Sequence, residues 1–216
     1  MRKRYSTLLL LLMLSITLAI PSKAYAMKNI GVNSECSSTK VTSLKLDERK
    51  LWSDHVLWTR NYIISDLAGL EDKDKVLQRL LKNQDDIGAS IRGYYGQEVA
   101  KKLSELLREH IAVAGQVVDA AKSGKKDDLE KYNKLWYENA DKIAEFLNGL
   151  NSNWPKMQLK DMLYKHLQLT TDEVIARLNK NWDEDIASYD KGEQHMLHLA
   201  DIISEGIVKQ FPEKFK

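Results

Sequence analysis

Cysteine is nearly absent from this sequence, since Cys36 is the only one in 216 residues. A lone cysteine excludes an internal disulfide, so the fold has to be stabilised by its hydrophobic core. Glu35 directly before it also breaks the small or apolar pattern that lipid attachment to a cysteine requires. Only three prolines occur, and no segment shows the alternating β-branched pattern of strands bounded by turns. These absences favour a helical fold without covalent cross-links.

Long hydrophobic runs are also scarce, and the one that stands out lies at the start of the chain. The basic residues Arg2, Lys3 and Arg4 precede an apolar run over 8–20, and small residues follow at Ala24 and Ala26. This three-part layout predicts a cleavable signal peptide at 1–26. The alternative is a retained anchor, but the run is shorter than the roughly 20 apolar residues that a membrane span needs. The sequence therefore predicts a secreted or cell-envelope protein with no stable membrane span after cleavage.

The net charge has to be read without that segment. The whole chain carries a formal charge of +2, and 1–26 contains four cations and no acids, so the remainder is formally −2. Nucleic-acid binding calls for a clustered basic face. We therefore expect no nucleic acid as a partner.

The rest of the chain divides into a tail and a domain. Residues 27–43 are rich in Ser, Asn, Thr and Lys without periodicity, which predicts a flexible tail. From 44 to 216 apolar residues recur at helical spacing, with glycines placed as helix C-caps. We predict an all-α, up-down antiparallel bundle of about six helices, with a break where Thr170 and Thr171 resemble a capping box. The predicted helices span 47–67, 74–92, 97–122, 127–147, 155–179 and 182–210.

A weak internal repeat suggests two related helical units. The segment 103–110 parallels 159–166, and each copy ends in a histidine, His110 or His166. Each copy follows a helix that contains a Leu-Trp pair, at 51–52 and 135–136. Three residues after the tryptophans come His55 and Asn139.

Each of these four polar residues is predicted to lie mid-helix on an apolar, inward face. Buried polar groups are costly unless they are satisfied, which leaves two explanations. The residues could hold a transition metal or small ligand, with His55, His110 and His166 as ligands and Asn139, Glu173 or His195 completing the site. Alternatively, the histidines form a structural hydrogen-bond network in a non-enzymatic envelope or interaction protein.

Nitrogen-rich ligation favours zinc, copper or iron over calcium or magnesium. The sequence lacks the Glu-x-x-His, His-Glu-x-x-His and Cys-x-x-Cys-His motifs of di-iron, zinc-protease and haem sites. No catalytic residues are indicated. Arg60, beside aromatic residues, suggests either an anionic ligand or an ion pair at the edge of the bundle.

The segments 51–60, 108–110, 135–141 and 164–167 resemble a family of exported helical proteins of Gram-positive bacteria. That resemblance implies an all-helical exported domain and no established activity. A looser similarity to hemerythrin-type bundles would imply histidine-bound iron. The paired His-x-x-x-His and His-x-x-x-Glu spacings of hemerythrins do not occur here.

Overall fold

The computed structural model describes residues 32–216, with side chains described from residue 39 onward. The predicted signal peptide therefore lies outside the described residues. Within 32–216 the chain is all-helical and contains no strand, as predicted. Six long helices, one short helix and a final 3₁₀ turn follow one another. They are α1 (Val32–Ala68), α2 (Lys73–Ser90), α3 (Arg92–Tyr95), α4 (Gln97–Ser123), α5 (Lys126–Leu150), α6 (Lys156–Leu178), α7 (Trp182–Gln210) and the 3₁₀ turn Pro212–Phe215.

The six long helices form a closed ring. Each packs mainly against the helices before and after it, and α7 packs against α1. Short connections make neighbouring helices antiparallel, as in up-down bundles. The internal repeat therefore does not produce two separate units. None of the described helices is long and apolar enough to cross a membrane.

Two predicted helix ends are confirmed by left-handed glycines. Gly69 and Gly124 follow α1 and α4 with φ of 65° and 66°. The amide of Gly124 reaches back to the carbonyl oxygen of Ala121 at 3.2 Å. A glycine adopts this backbone conformation without the steric cost that a Cβ would add.

The start of the first helix was predicted wrongly. Helix α1 begins at Val32, within the segment expected to be a flexible tail, rather than near Asp47. Leu44 is buried in the main core, and Val41 packs against it. Packing against α7 and the C-terminal 3₁₀ turn thus offsets the weak helix propensity of the Ser- and Thr-rich stretch.

One predicted helix end lies later in the structure, and one predicted break is absent. Helix α5 continues through Gly149 and ends at Leu150, where the side chain of Asn151 organises the following turn by accepting from the amide of Asn153 at 2.9 Å. Helix α6 is continuous through Thr170 and Thr171. Their hydroxyls donate to carbonyl oxygens four residues back instead of capping a new helix, at 3.0 and 2.9 Å.

Candidate functional site

The inward edge of α1 is polar or aromatic from Glu48 to Asp66. Its side chains follow the alternating four- and three-residue spacing that keeps one edge of a helix facing a bundle interior. They are Glu48, Trp52, His55, Thr59, Tyr62 and Asp66. All except Thr59 are buried, and Thr59 is half-buried. The bundle therefore places hydrogen-bonding groups at its centre, where the other long helices supply mostly apolar side chains.

The three predicted histidines meet in this interior. Nε2 of His55 lies 3.4 Å from Nε2 of His166, and the two ring centroids are 5.3 Å apart. His110 stacks on His166 with a centroid distance of 6.1 Å and an interplanar angle of 25°. Helices α1, α4 and α6 thus each contribute one buried imidazole to a single cluster, which we call the histidine cluster.

Both ring nitrogens of His110 have partners. The indole N–H of Trp136 donates to Nε2 over 3.1 Å, so this nitrogen carries no proton. Nδ1 lies 2.8 Å from Oδ1 of Asn139 and is the donor in that bond. The side-chain amide of Asn139 is in turn oriented by its own donation to the carbonyl oxygen of Leu106 at 3.2 Å. His110 is thereby fixed as a neutral imidazole protonated on Nδ1.

The tautomer of His55 follows from a side chain on α2. The amide nitrogen of Gln84 lies 3.2 Å from Nδ1 of His55 and 3.0 Å from both Oδ1 of Asn83 and the carbonyl oxygen of Leu80. Two of these three neighbours are oxygen atoms that can only accept a hydrogen bond here. The side chain of Gln84 must therefore direct its N–H groups, and not its oxygen, toward all three atoms. Nδ1 of His55 therefore accepts, and Nε2 carries the proton that is directed at His166.

Burial keeps all three imidazoles neutral. Desolvation lowers the pKa of His55 from 6.5 to about 3 and that of His110 to about 4. It also lowers the pKa of His166 well below its usual value, and the neighbouring imidazoles add to the effect. A charged imidazole in this interior would lose its hydration without gaining a carboxylate partner, because no acid among residues 39–216 is hydrogen-bonded to one of the three rings.

The remaining predicted ligands lie away from the cluster or serve it indirectly. His195 is directed at the carbonyl oxygen of Met162, at 2.7 Å from Nε2. Glu173, two helical turns beyond His166, is bonded to Arg60 at 2.7 Å. Asn139 orients His110 through Oδ1 and sets its tautomer. The structure thus brings together three of the six predicted ligands, His55, His110 and His166, and Asn139 is hydrogen-bonded to one of them, His110.

Arg60 belongs to an ion cluster of two buried acids and two partly buried arginines that links three helices. It contacts Glu173 on α6 and also Asp185 on α7, at 3.0 Å. Arg177 contacts Asp185 at 2.7 Å, so two cations face two acids. Burial raises the pKa of Glu173, and Arg60 opposes that rise. Of the two interpretations of Arg60, the structure supports the ion pair.

Sequence reasoning missed the polar residues on α2. Asn83 and Gln84 are fully buried and bond α2 to α1. The amide of Asn83 donates to the carbonyl oxygen of Leu51 at 2.9 Å, and Gln84 contacts His55 of the histidine cluster. The signal was present, since two adjacent amides interrupt an apolar series between Leu80 and Ile87. Glu48 was missed too, and burial raises its pKa to about 7.

Among the described residues, no group of three His, Cys, Asp or Glu side chains is arranged to hold a metal ion. One pair of nitrogens, Nε2 of His55 and Nε2 of His166, lies 3.4 Å apart, a spacing that would suit two ligands of one metal ion. Nitrogen ligands about 2.0–2.1 Å from a tetrahedral zinc are separated by roughly 3.3–3.4 Å, which is close to the observed distance between the two Nε2 atoms. However, a histidine that binds metal through Nε2 must donate from Nδ1, and Gln84 presents a donor there.

No protein-family model, curated protein or solved structure matches this chain.

Proposed function

We propose that this is an exported, non-enzymatic helical protein of the cell envelope, whose buried histidines form a structural hydrogen-bond network. The single observation that carries the proposal is the bonding of His110, where Asn139 and Trp136 occupy both ring nitrogens. An imidazole held in this way has no free nitrogen for a metal or for proton transfer. The lowered pKa values of His55 and His110 also make them weak bases at neutral pH.

The network gives the bundle positional specificity. Apolar side chains can slide past one another with little loss, whereas a donor and an acceptor must meet at one height. The bonds of His110 fix α4 against α5, and the contact between His55 and His166 fixes α1 against α6 across the interior. The two halves of the internal repeat thus supply equivalent parts, since His55 of the first half faces His166 of the second, and Asn139 of the second half faces His110 of the first.

A His110→Ala variant tests this role when its thermal unfolding is measured with a chelator and again with added zinc. We expect the midpoint to fall by the same amount in both conditions, because the lost bonds involve no metal. Asn148→Ala, which removes a half-buried amide far from the histidines, serves as the control for generic loss of a polar side chain. A midpoint that falls only when zinc is present would contradict the proposal.

Metal binding is a second candidate, favoured by the 3.4 Å separation of Nε2 of His55 and Nε2 of His166. Zinc, copper or iron bound there would require the amide of Gln84 to turn over. Reconstitution with each metal, followed by elemental analysis of the wild type and of His166→Gln, tests it. Stoichiometric metal in the wild type that is lost in the variant would support this second function over the first.

A further inference from the structure

Glu48 is a buried acid on the inward edge of α1. Its side chain is 1% exposed, and its Oε1 atom has no hydrogen-bond partner among the described residues. Burial raises the pKa of its carboxyl to about 7, the side chains of Ser90 and Trp52 oppose that rise, and the charge of Asp47 adds to it. The carboxyl therefore changes from neutral to charged close to neutral pH.

Glu48 lines two spaces whose walls differ. One is a cavity of about 20 Å³ inside the bundle, to which α4, α5, α6 and α7 contribute only apolar side chains. The other is an open groove of about 580 Å³ between α1, α2, α3 and the C-terminal 3₁₀ turn. A carboxylate at Glu48 gains water or a cation only from the groove, because the helices across the cavity offer no polar group.

The residues 211–216, which we call the C-terminal latch, close one side of this groove. Phe215 is buried, and its ring stacks on that of Tyr94 in α3 with centroids 6.0 Å apart. Burial raises the pKa of Tyr94, and the charge of Glu48 adds to the rise, so the two groups lie close together. Both rings line the groove beside Glu48. Hydration of a carboxylate at Glu48 thus requires this wall of the groove to move apart.

The cations of the groove hold the latch in place. They are Lys40 and Lys214, and each donates to a main-chain oxygen at 2.6 Å, Lys40 to the latch and Lys214 from the latch to α3. The other charged groups that line the groove are the acids Asp47 and Asp86, which add negative charge. An ionised Glu48 therefore attracts both lysines away from the oxygens that they bind.

From these contacts we infer that Glu48 is a pH-sensitive switch that controls the C-terminal latch. While the carboxyl is neutral, the latch is closed and Phe215 is buried. When the carboxyl ionises, water and the lysines move toward it, and the latch separates from α3. The switch involves no histidine, so the inference is independent of the proposed role of the histidine network.

Proton linkage gives the size of the effect. The closed latch is favoured where the carboxyl keeps its proton, and this preference is lost as the pH rises through the pKa of the closed form, about 7. If hydration in the open form restores the ordinary pKa of 4.5, the ratio of open to closed latch rises about tenfold from pH 6 to pH 8. Above pH 8 it stays nearly constant.

Fluorine NMR of the protein labelled with 4-fluorophenylalanine measures the opening. The chain has three phenylalanines, so three resonances are expected, and Phe146 on α5 supplies a reference outside the latch. We expect the resonance of Phe215 to move toward the position of a solvent-exposed ring between pH 6 and pH 8. Relaxation dispersion of the same resonance measures the open form where it is the minor one, and its population ratio should change about tenfold.

The switch is assigned by a matched pair of substitutions. Glu48→Gln keeps the shape of the neutral carboxyl and should hold the Phe215 resonance at its pH 6 position up to pH 8. Glu48→Met, which cannot ionise either, replaces it if the first variant does not fold. Asp47→Asn removes the neighbouring exposed acid and should retain the response to pH.

Three results would overturn the inference. One is a Phe215 environment in the wild type that does not change between pH 6 and pH 8. Another is a response that a folded Glu48 variant retains, and the last is a response that disappears in Asp47→Asn. None of them bears on the histidine network, which is tested by its own substitutions.

Discussion

The neutral, buried state of His110 makes the stability of the domain depend on pH in a way that one substitution isolates. Burial lowers the pKa of His110 from 6.5 to about 4. Between these values the unfolded chain binds a proton that the folded protein does not. The contribution of the neutral His110 to the free energy of unfolding is therefore fully present above the pKa of the unfolded state. It is lost as the pH falls toward the pKa of the folded state.

The size of the effect follows from proton linkage. For one group whose pKa falls from 6.5 to about 4 on folding, the loss is about 2 kcal/mol at pH 5 and only about 0.2 kcal/mol at pH 7. His110→Gln removes this titration. We therefore expect the difference in unfolding free energy between the wild type and the variant to shrink by about 2 kcal/mol on going from pH 7 to pH 5.

Urea unfolding followed by circular dichroism at constant ionic strength measures this difference. The wild-type curve alone would mislead, because the carboxyl of Glu48 has its pKa raised to about 7 by burial and gains stability on acidification. That carboxyl is present in both proteins, so its contribution cancels in the comparison. His198→Gln, which replaces an exposed histidine, is the control for loss of an imidazole outside the histidine cluster. A difference for His110→Gln that stays constant or widens toward pH 5 would refute the neutral state of His110.

Two further substitution pairs test the packing and the ion cluster by chemical denaturation. A Cβ added at Gly206 would overlap the buried indole of Trp154, whereas nothing lies within 4 Å of one added at Gly192, and both glycines lie inside α7. We expect Gly206→Ala to destabilise the domain by about 1–3 kcal/mol and Gly192→Ala to stabilise it by about 0.5–1 kcal/mol, and equal effects would contradict this packing. Arg60→Ala leaves Glu173 without its cation and should cost about 3–5 kcal/mol. Arg108→Ala breaks an exposed pair with Asp85 and an exposed hydrogen bond to the carbonyl oxygen of Leu81, and should cost less than about 1 kcal/mol. A similar loss in both variants would argue against burial of the acids in the ion cluster.

The predicted signal peptide at 1–26 and the resemblance to exported Gram-positive proteins stay predictions. Mass spectrometry of the protein recovered from the culture medium or envelope of a producing Gram-positive host would test the cleavage. A mature N-terminus at Met27 is the expected result, and an intact Met1 on membrane-associated protein would contradict it.

The sequence was sufficient to predict the all-helical fold, because apolar spacing and glycine caps act locally. The bounds of the last helix, Trp182–Gln210, agree with the prediction, and Gly69 and Gly124 end their helices as expected. The local sequence pattern gave wrong helix bounds at two places. At one, tertiary packing extends the helix, and at the other a threonine hydroxyl bonds back to the helix instead of capping a new one. Helix α1 begins well before the predicted start, and its residues Val41 and Leu44 pack into the bundle core. Thr170 prolongs a helix that it was expected to interrupt.

Some properties of the histidine cluster could likewise be predicted from the sequence, and others depend on the tertiary structure. Helical periodicity placed His55, His110 and His166 on inward faces, since a face is a property of one helix. It could not show which partner each nitrogen meets, because that depends on the rotation and height of neighbouring helices. Only the closed ring sets Trp136 and Asn139 against His110, Gln84 against His55 and Arg60 against Glu173. The sequence therefore determined that polar groups would be buried, and the tertiary structure decided how they are satisfied.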